Sequence, residues 1–554
     1  MRRLVLVLAP VLALLALPLA ASAADATSLP QPSALSRIDD AFAQGRIDAP
    51  TRAIYGLYVL KAPEKLPAEF RPSPGATLPR CATPLFHRAW LERDAFNAEQ
   101  AADYASFAAR PTYGTEGTVP AAGADTLVLV HYDAADGTQA AIANQVAASS
   151  DTAWNMEITG FGFRPPVPDG TAGGTSDTDI YLVKNLNYAY TASESTNAAT
   201  TFSDATAFSV IDPALPNLET YVAHEFNHDS QYAYDAHEAD LIYEATAVFI
   251  EDKVYDSVND YLSFVPDFQT HPERNLSYAT YDDSYMYGAG IWLRWLSDKH
   301  GSGSPTIVRQ IWENLEQDDL TNSNNYFMAL ENTVLPAAGI SGGVQGMEQE
   351  YAGYRWLSGA NSDGWSTEAS LWPTVAPIQQ FTLTNGADGN TTPNAPQPLG
   401  VNYVEVDTTG GVAGDKLTFT LHGGTGVSWG VTKIEVPASG AATVTPSAMD
   451  SGDGVVRVAS SSVNGFSKVV FAVTNLGTAG QVPDSLSGTT HNGPVTPTSF
   501  TYDVFYSADG KDPGAAAAAS ACKCDLATRA RGTGLLAPFA LVALAVGGVL
   551  RRRR

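Results

Sequence analysis

The sequence predicts an α+β fold, in which a mixed domain of helices and a small sheet precedes an all-β sandwich. Two observations indicate this. Between residues 126 and 357, a few short apolar strands are followed by a long stretch of helical pattern. Beyond Pro377, short runs rich in valine, threonine and aromatic residues are separated by glycine-rich turns, which is typical of a sandwich.

Composition limits the classes of function. The chain has 554 residues, and 32 Lys and Arg against 59 Asp and Glu give a formal charge of −27. A nucleic-acid partner is excluded because a phosphate-binding groove needs clustered basic residues. Three cysteines are too few for a disulfide scaffold, so packing must hold the fold.

The N-terminus has the pattern of an export signal. Two arginines precede an apolar run from Leu4 to Leu19, and small residues stand at Ala21 and Ala23. We predict a signal peptide over residues 1–23, with secretion through the general export pathway.

The C-terminus, residues 511–554, predicts a linker, a cysteine pair and a transmembrane tail. Cys522 and Cys524 precede an apolar run, Gly534–Leu550, and four terminal arginines. The run is just long enough to span a bilayer, so a plain membrane anchor is one interpretation. The order also resembles the sorting tail of myxobacterial surface proteins. That resemblance implies cleavage by a sorting peptidase near a lipid-bearing Cys522 or Cys524, and a protein at the cell surface or outer membrane or released outside the cell.

Three regions are predicted between the two ends: an N-terminal domain or propeptide (24–120), a mixed helix-and-sheet domain (121–375), which carries the motifs described below, and a β-sandwich domain (376–510). The predicted helices include Ala34–Gln44, Ala89–Ala109 and Thr138–Asn155. The predicted strands are Thr126–Tyr132, Asp179–Val183 and Ala207–Ile211, then Gln380–Thr384, Asn402–Asp407, Lys416–Leu421, Val455–Ala459, Lys468–Thr474 and Ser499–Tyr506.

The segment from Leu218 to His228 carries a metal-binding pattern. His224, Glu225 and His228 have the spacing His-Glu-x-x-His. On a helix, positions i and i+4 lie on one face, so both imidazoles can bind a single ion. Glu225 can then accept a proton from water activated by zinc. A solvated pair of histidines is the alternative, but the apolar neighbours predict a buried helix, in which histidines need partners.

The third ligand has two candidates. Glu244 is the one acid within an otherwise apolar helical run, and burying a carboxylate without a counter-charge is costly. His237 is nearer in sequence, but it lies in a polar turn where solvent satisfies it. The metzincin pattern fails, because Gln231 and Tyr234 stand where that pattern needs glycine and histidine. We therefore predict Glu244.

These residues resemble the gluzincin metallopeptidases, whose pattern is His-Glu-x-x-His on one helix and a glutamate on the next. The resemblance implies a zincin-like fold and one catalytic Zn²⁺, with His224, His228 and Glu244 as ligands and Glu225 as general base. Val248 stands four residues after Glu244, where some members carry an aspartate that orients a ligand histidine.

A tyrosine-rich segment lies downstream. Tyr285-Met-Tyr-Gly-Ala is similar to the Tyr-x-x-Gly-Ala helix of the aminopeptidase-like gluzincins. The resemblance implies that Tyr285 donates a hydrogen bond to the developing oxyanion, with Tyr287 as a second candidate. The plain interpretation is a helix of the core.

Pro79-Arg-Cys-Ala-Thr-Pro84 also suggests a regulatory role. It is similar to the cysteine-switch segment of matrix-metalloprotease propeptides, in which a thiolate binds the zinc. The interpretation that we favour at this point is a small buried thiol at Cys81, and the switch is the alternative.

The sequence thus predicts a secreted, surface-anchored zinc metalloendopeptidase that resembles the secreted metalloproteases of myxobacteria, with a protein or peptide as its substrate. The alternative is a surface adhesion or binding protein whose zinc site is structural or degenerate. Calcium is unsupported, because no spacing matches an EF-hand.

Overall fold

The computed structural model describes residues 32–507 and 509, apart from 124, 317–324, 383–386, 390–394, 413, 425, 448–453 and 479–495. The predicted signal peptide (1–23) and the predicted sorting tail (511–554), with Cys522 and Cys524, lie outside the described residues. Within the described part, no helix is both long enough and apolar enough to cross a membrane.

Four helices come first. Their N-caps explain where three of them begin: the side chains of Ser33, Asp48 and Asn97 each accept hydrogen bonds from the first turn. Asn97 and Gln100 form a complete capping box, so the stretch predicted as one helix (Ala89–Ala109) divides in two. The helices are α1 (Ala34–Ala43), α2 (Ala49–Lys61), α3 (Thr83–Glu92) and α4 (Ala98–Phe107).

A five-stranded mixed sheet follows. Its strands are β1 (Glu116–Pro120), β2 (Val128–Asp133), β3 (Thr178–Leu182), β4 (Ala189–Thr196) and β5 (Ala205–Ile211). The order is β1-β2-β3-β5-β4, with the three central strands parallel and both edge strands antiparallel to their neighbours. The three predicted strands of this region are confirmed as the central ones, while both edges were missed.

Helices cover both faces of the sheet. On one face, α5 (Gln139–Trp154) and α6 (Leu218–Tyr232) share a core with β2 and β3. On the other face, α1, α2 and α3 share a core with β3, β4 and β5. Phe86 of α3 stacks on Tyr190 of β4 with ring centroids 4.0 Å apart. The N-terminal helices therefore pack directly on the sheet that carries α6.

A helical layer completes this half of the molecule. Its core contains buried aromatic side chains, among them Trp292, Trp295 and Trp312. Gly288 has no space for a Cβ, which would lie 2.6 Å from the Phe264 carbonyl oxygen, so the chain approaches closely there. The helices are α7 (Asp240–Val254), α8 (Val265–Thr270), α9 (Tyr285–Gly288), α10 (Gly290–His300), α11 (Thr306–Glu313), α12 (Tyr326–Ala329), α13 (Leu335–Ala337) and α14 (Gly343–Trp356).

The C-terminal part is a two-layer β-sandwich, as predicted. One sheet has the order β11-β10-β13-β8-β6 and the other β12-β9-β14-β7. Phe419 and Phe471 stack between them, 4.5 Å apart, and α14 packs on the outside of the first sheet through Trp356. The strands are β6 (Gln379–Thr382), β7 (Ala387–Gly389), β8 (Val401–Asp407), β9 (Lys416–His422), β10 (Val427–Pro437), β11 (Thr443–Pro446), β12 (Val455–Ser462), β13 (Phe466–Thr478) and β14 (Thr501–Ser507).

Candidate metal centre

Helix α6 presents both predicted histidines to one point. His224 and His228 are fully buried, and their Nε2 atoms lie 3.1 Å apart. This is the consequence of the i, i+4 spacing, which puts the two rings on one face of the helix. The local sequence thus delivers the pair as predicted.

Helix α7 brings the predicted third ligand. Glu244 is fully buried, with Oε2 3.1 Å from His224 Nε2 and Oε1 3.4 Å from His228 Nε2. The competing candidate, His237, lies in the turn before α7, where its Nδ1 is 3.9 Å from Asp235. The structure brings Glu244, and not His237, to the two histidines.

Cys81 is the fourth member of the cluster. Its Sγ is fully buried and lies 3.5 Å from His228 Nε2. One ligand atom from each of Cys81, His224, His228 and Glu244 falls within 4.8 Å of all the others. Cys81 is a buried thiol, as the favoured interpretation predicts. That interpretation is incomplete, however, because the thiol lies among the predicted metal ligands.

Two side chains orient the imidazoles. Gln231 donates through Nε2 to the Tyr243 carbonyl, so its Oε1 faces His228 Nδ1 at 2.7 Å. The Glu251 carboxylate lies 2.9 Å from His224 Nδ1. In both rings Nδ1 therefore carries a proton, and Nε2 is left to point into the cluster.

The donor set fits a tetrahedral metal ion. The distances from the two histidine Nε2 atoms to each other and to their neighbouring ligand atoms are 3.1–3.5 Å, close to the tetrahedral edge of about 3.3 Å around an ion with metal–nitrogen distances of about 2.0 Å. Glu244 Oε1 is buried without a hydrogen-bond partner among the described residues. Two imidazoles, a carboxylate and a thiol are also ligands that zinc accepts.

His224 and Glu244 stabilise each other's charged forms. Burial lowers the pKa of His224, but its hydrogen bonds to Glu244 and Glu251 outweigh this and raise that pKa above its usual range. Burial raises the pKa of Glu244, but His228 and His224 outweigh this and lower that pKa below its usual range. A divalent cation would compensate the same carboxylate charge.

Sequence reasoning missed Glu251. It lies seven residues after Glu244, two helical turns along the same face of α7, so both carboxylates reach His224. The comparison with the gluzincin pattern considered only the position four residues after Glu244, one helical turn further on. Val248 stands there, in place of the aspartate that orients a ligand histidine in some members. The i+7 spacing is the signal that could have found Glu251.

Glu225 lies on the side of the cluster that Cys81 occupies. Its Oε2 accepts hydrogen bonds from Thr191 at 2.8 Å and from Thr83 at 3.2 Å. The Thr83 hydroxyl also lies 3.1 Å from Cys81 Sγ, so it links the thiol to the carboxylate. Burial, and then the carboxylates of Glu225 and Glu244, raise the pKa of the Cys81 thiol well above its usual range.

The Cys81 segment extends the sheet. The Ala82 N–H donates to the Ala189 carbonyl at 2.8 Å, and the Ala189 N–H donates to the Arg80 carbonyl at 3.2 Å. These bonds form a parallel bridge on β4, the edge strand beside the metal site. An edge strand offers unpaired backbone groups, and here an extended stretch of the same chain pairs with them.

The two tyrosines of α9 have different surroundings. The Tyr285 hydroxyl donates to the carbonyls of Asn275, at 3.3 Å, and Arg274, at 3.4 Å. The Tyr287 hydroxyl donates to the Cys81 carbonyl at 3.2 Å and lies 3.4 Å from the Cys81 N–H. The structure thus brings Tyr287 to the candidate metal site, next to Cys81, and it does not bring Tyr285 there.

A second acidic group does not need an ion. Asp252, Asp256 and Glu368 have carboxylate oxygens close together. Arg294 lies among them and forms ion pairs with all three. Its guanidinium already supplies the positive charge.

Comparisons with known proteins leave the function open. No protein-family model matches the chain, and no curated protein matches it. Among solved structures, it is similar to CorA, described as a surface-associated copper-binding protein important in copper acquisition in Methylomicrobium album BG8. The identity is 12%, the match covers 24% of this chain and 98% of that one, and the TM-score is 0.15, so the likeness carries no conclusion about fold or function.

Proposed function

We propose that this protein is a zinc metalloendopeptidase of the gluzincin type, with a zincin-like fold in its α/β region. The observation that carries the proposal is the convergence of His224, His228 and Glu244 with the Glu225 carboxylate on one side of the cluster. The export signal and sorting tail predicted at the two ends of the sequence support a secreted, surface-anchored enzyme.

The residues around the cluster have distinct chemical tasks. Zinc held by His224, His228 and Glu244 would supply Lewis acidity, which polarises a peptide carbonyl and activates water at neutral pH. Glu225 accepts a proton from the attacking water and delivers it to the leaving amine. Thr191 fixes one oxygen of that carboxylate, while the other, Oε1, has no hydrogen-bond partner among the described residues.

Cys81 closes the site in the described form. A catalytic zinc site keeps one coordination position for water or substrate, and the Cys81 thiol, 3.5 Å from His228 Nε2 and linked to Glu225 through Thr83, would occupy that position. The segment at Arg80–Thr83 must leave the edge of β4 before a substrate can bind. The enzyme is therefore latent, and the N-terminal region acts as its inhibitor.

A second function has its own supporting observation. Four protein ligands in a closed site are typical of structural zinc, which favours a surface adhesion or binding protein. The position of Glu225 argues against a structural site, because a structural zinc site does not need a general base beside the ion. The two proposals differ in what Cys81 does: it either blocks a catalytic position or completes a permanent one.

The deciding experiment compares three full-length proteins: the parent, Cys81→Ser, and Cys81→Ser combined with Glu225→Gln. Zinc content is measured by atomic emission, and cleavage of unfolded casein by the release of peptides. We expect one zinc in each, cleavage by Cys81→Ser, and a loss of at least ~10²-fold when Glu225 is also changed. Zinc without cleavage in all three would favour the structural site, and full activity of the Glu225→Gln variant would refute the mechanism.

A further inference from the structure

The side chain of Arg80, the residue before Cys81, fills a pocket beside the metal site. Its guanidinium lies over the rings of Tyr221, with 4.3 Å to the centroid, and Phe264, with 5.1 Å. Nη1 lies 2.9 Å from Glu251 Oε2, and Nη2 lies 3.5 Å from Asp260 Oδ2. The arginine side chain is only 9% exposed.

This pocket continues into an open cleft. A cavity of about 390 Å³ borders Arg80, Tyr221, Asp260 and Phe264. Helix α6 joins the pocket to the metal site, because Tyr221 lies one turn before His224. An extended chain on the edge of β4 therefore has two neighbouring sites within reach. The metal site would receive one residue, and this pocket would receive the side chain of the residue before it.

Departure of Arg80 leaves the pocket without its cation. Glu251 is fully buried and Asp260 is 17% exposed, so both carboxylates are poorly hydrated. A carboxylate in such surroundings favours a new positive partner over bulk water. The two rings favour a cation as well, since their faces carry negative potential.

We propose that Tyr221, Phe264, Glu251 and Asp260 form a specificity subsite for a basic side chain, preferably arginine, of an extended polypeptide substrate. Arg80 occupies it as an internal mimic of that substrate residue. The proposal rests on the proposed peptidase function and names its substrate class: unfolded or extended chains with a basic residue next to the cleaved bond.

Arginine fits the pocket better than lysine. A planar guanidinium can bind two carboxylates at once while it stacks on an aromatic face, whereas an ammonium is a compact, strongly hydrated point charge. Glu251 and Asp260 approach different nitrogens of the guanidinium, as that geometry requires. We therefore expect arginine to be preferred to lysine, and both to neutral residues.

The first experiment maps cleavage sites. The full chain with Arg80→Ala and Cys81→Ser, which frees both sites, digests unfolded casein, and mass spectrometry identifies the new termini. Arginine or lysine should be enriched at one fixed position beside the cut. Adding Asp260→Asn should lower this enrichment ~10-fold without loss of zinc. Asp256→Asn is the matched control, because its carboxylate is 71% exposed, lies near Arg294 and does not border the cavity.

The second experiment needs no catalysis. Arg80→Ala removes the guanidinium, and ethylguanidinium can replace it. Ethylguanidinium should raise the melting temperature of Arg80→Ala in a saturable way, less so when Asp260→Asn is also present, and ethylurea, which is neutral, should not. Equal effects of the two compounds would overturn the proposed pocket.

The outcomes separate the two proposals. Cleavage with no basic preference would overturn the subsite and leave the peptidase intact. Zinc binding with no cleavage at all would overturn both, because there would then be no substrate for the pocket to select.

Discussion

The sandwich and the α/β region differ in how they bury charge. In the sandwich, buried acids have lysine partners: Glu405 lies 2.6 Å from Lys468, and Glu435 lies 3.2 Å from Lys433. Between its two sheets the core is aliphatic and aromatic. Among the described residues, the sandwich has no cluster of candidate metal ligands.

The α/β region has such pairs too, for example Glu251 with Arg80, but it also buries acids that have no basic partner among the described residues. Glu157, Glu225 and Asp229 are at most 1% exposed, and none forms an ion pair with lysine or arginine in the described part of the chain. Burial raises the pKa of Glu157 and of Asp229 well above the usual range. Each such group costs folding free energy unless something else compensates for it.

The difference indicates that the α/β region, and not the sandwich, loses folding free energy by burying unpaired acids. Buried ionisable groups with displaced pKa values concentrate at functional sites, because their tasks require those surroundings. In the sandwich, the buried acids Glu405 and Glu435 are paired with lysines, and apolar packing holds the two sheets together. The two regions should therefore respond to different perturbations, which the following predictions test.

Metal removal should have the largest effect and should be confined to the α/β region. Chelation takes away the charge that compensates Glu244, at a cost of about 4 kcal/mol if the ion is held at 1,000 times its dissociation constant. Hydrogen exchange measured by mass spectrometry should then accelerate in α6 and α7. Strands β8 to β14 should keep their protection, and equal acceleration in both regions would mean that they unfold as one unit.

A cavity in the sandwich core should have the opposite signature. Phe419 stacks on Phe471 and on Tyr502, so Phe419→Ala should destabilise the sandwich by about 3 kcal/mol. Zinc content should not change, because the cavity lies far from α6 and α7 in the fold. Denaturant unfolding and metal analysis test this, with Phe419→Leu as the milder control. Loss of zinc in Phe419→Ala would contradict the separation.

Opening the metal site should increase activity. Cys81→Ser replaces the thiol with a weaker zinc ligand, so a larger fraction of molecules offers the open position, and casein cleavage should rise ~10-fold. Thr83→Ser is a suitable control, since it keeps the hydroxyl that contacts Glu225. A decrease in both zinc content and activity in Cys81→Ser would identify the thiol as a structural ligand.

The smallest effect concerns the two tyrosines of α9. Tyr287 binds the backbone of Cys81, and once that segment leaves, its hydroxyl can bind the backbone of an extended substrate in the same place, so Tyr287→Phe should lower kcat of the Cys81→Ser enzyme by ~5-fold, the value of about one hydrogen bond. Tyr285→Phe should leave kcat unchanged, because the Tyr285 hydroxyl donates to the backbone carbonyls of Arg274 and Asn275. A lower kcat in Tyr285→Phe together with an unchanged kcat in Tyr287→Phe would instead support the prediction that Tyr285 donates to the oxyanion.

Local patterns in the sequence were enough to predict much of this protein. The i, i+4 spacing decides that His224 and His228 share a face, and an acid in an apolar helix predicts the partner role of Glu244. Strand-length apolar runs predict the three central strands of the α/β sheet and six of the nine described sandwich strands, but they missed β7, β10 and β11. These features depend on residues a few positions apart, whose geometry the helix or strand period determines.

Only the tertiary structure decided the rest. Cys81 reaches His228 across 147 positions, and Arg80 reaches Glu251 across 171. Which of two tyrosines faces the site depends on the rotation of α9 against its neighbours, and a segment from the N-terminal region pairs with β4 on the edge that β5 leaves free. Such contacts are set by how whole elements pack, because one sequence pattern is compatible with many relative placements of helices and strands. The candidate ligands on α6 and α7 can thus be predicted from local spacing, whereas the contact of Cys81 with His228 and the position of Arg80 between Tyr221 and Glu251 arise from packing.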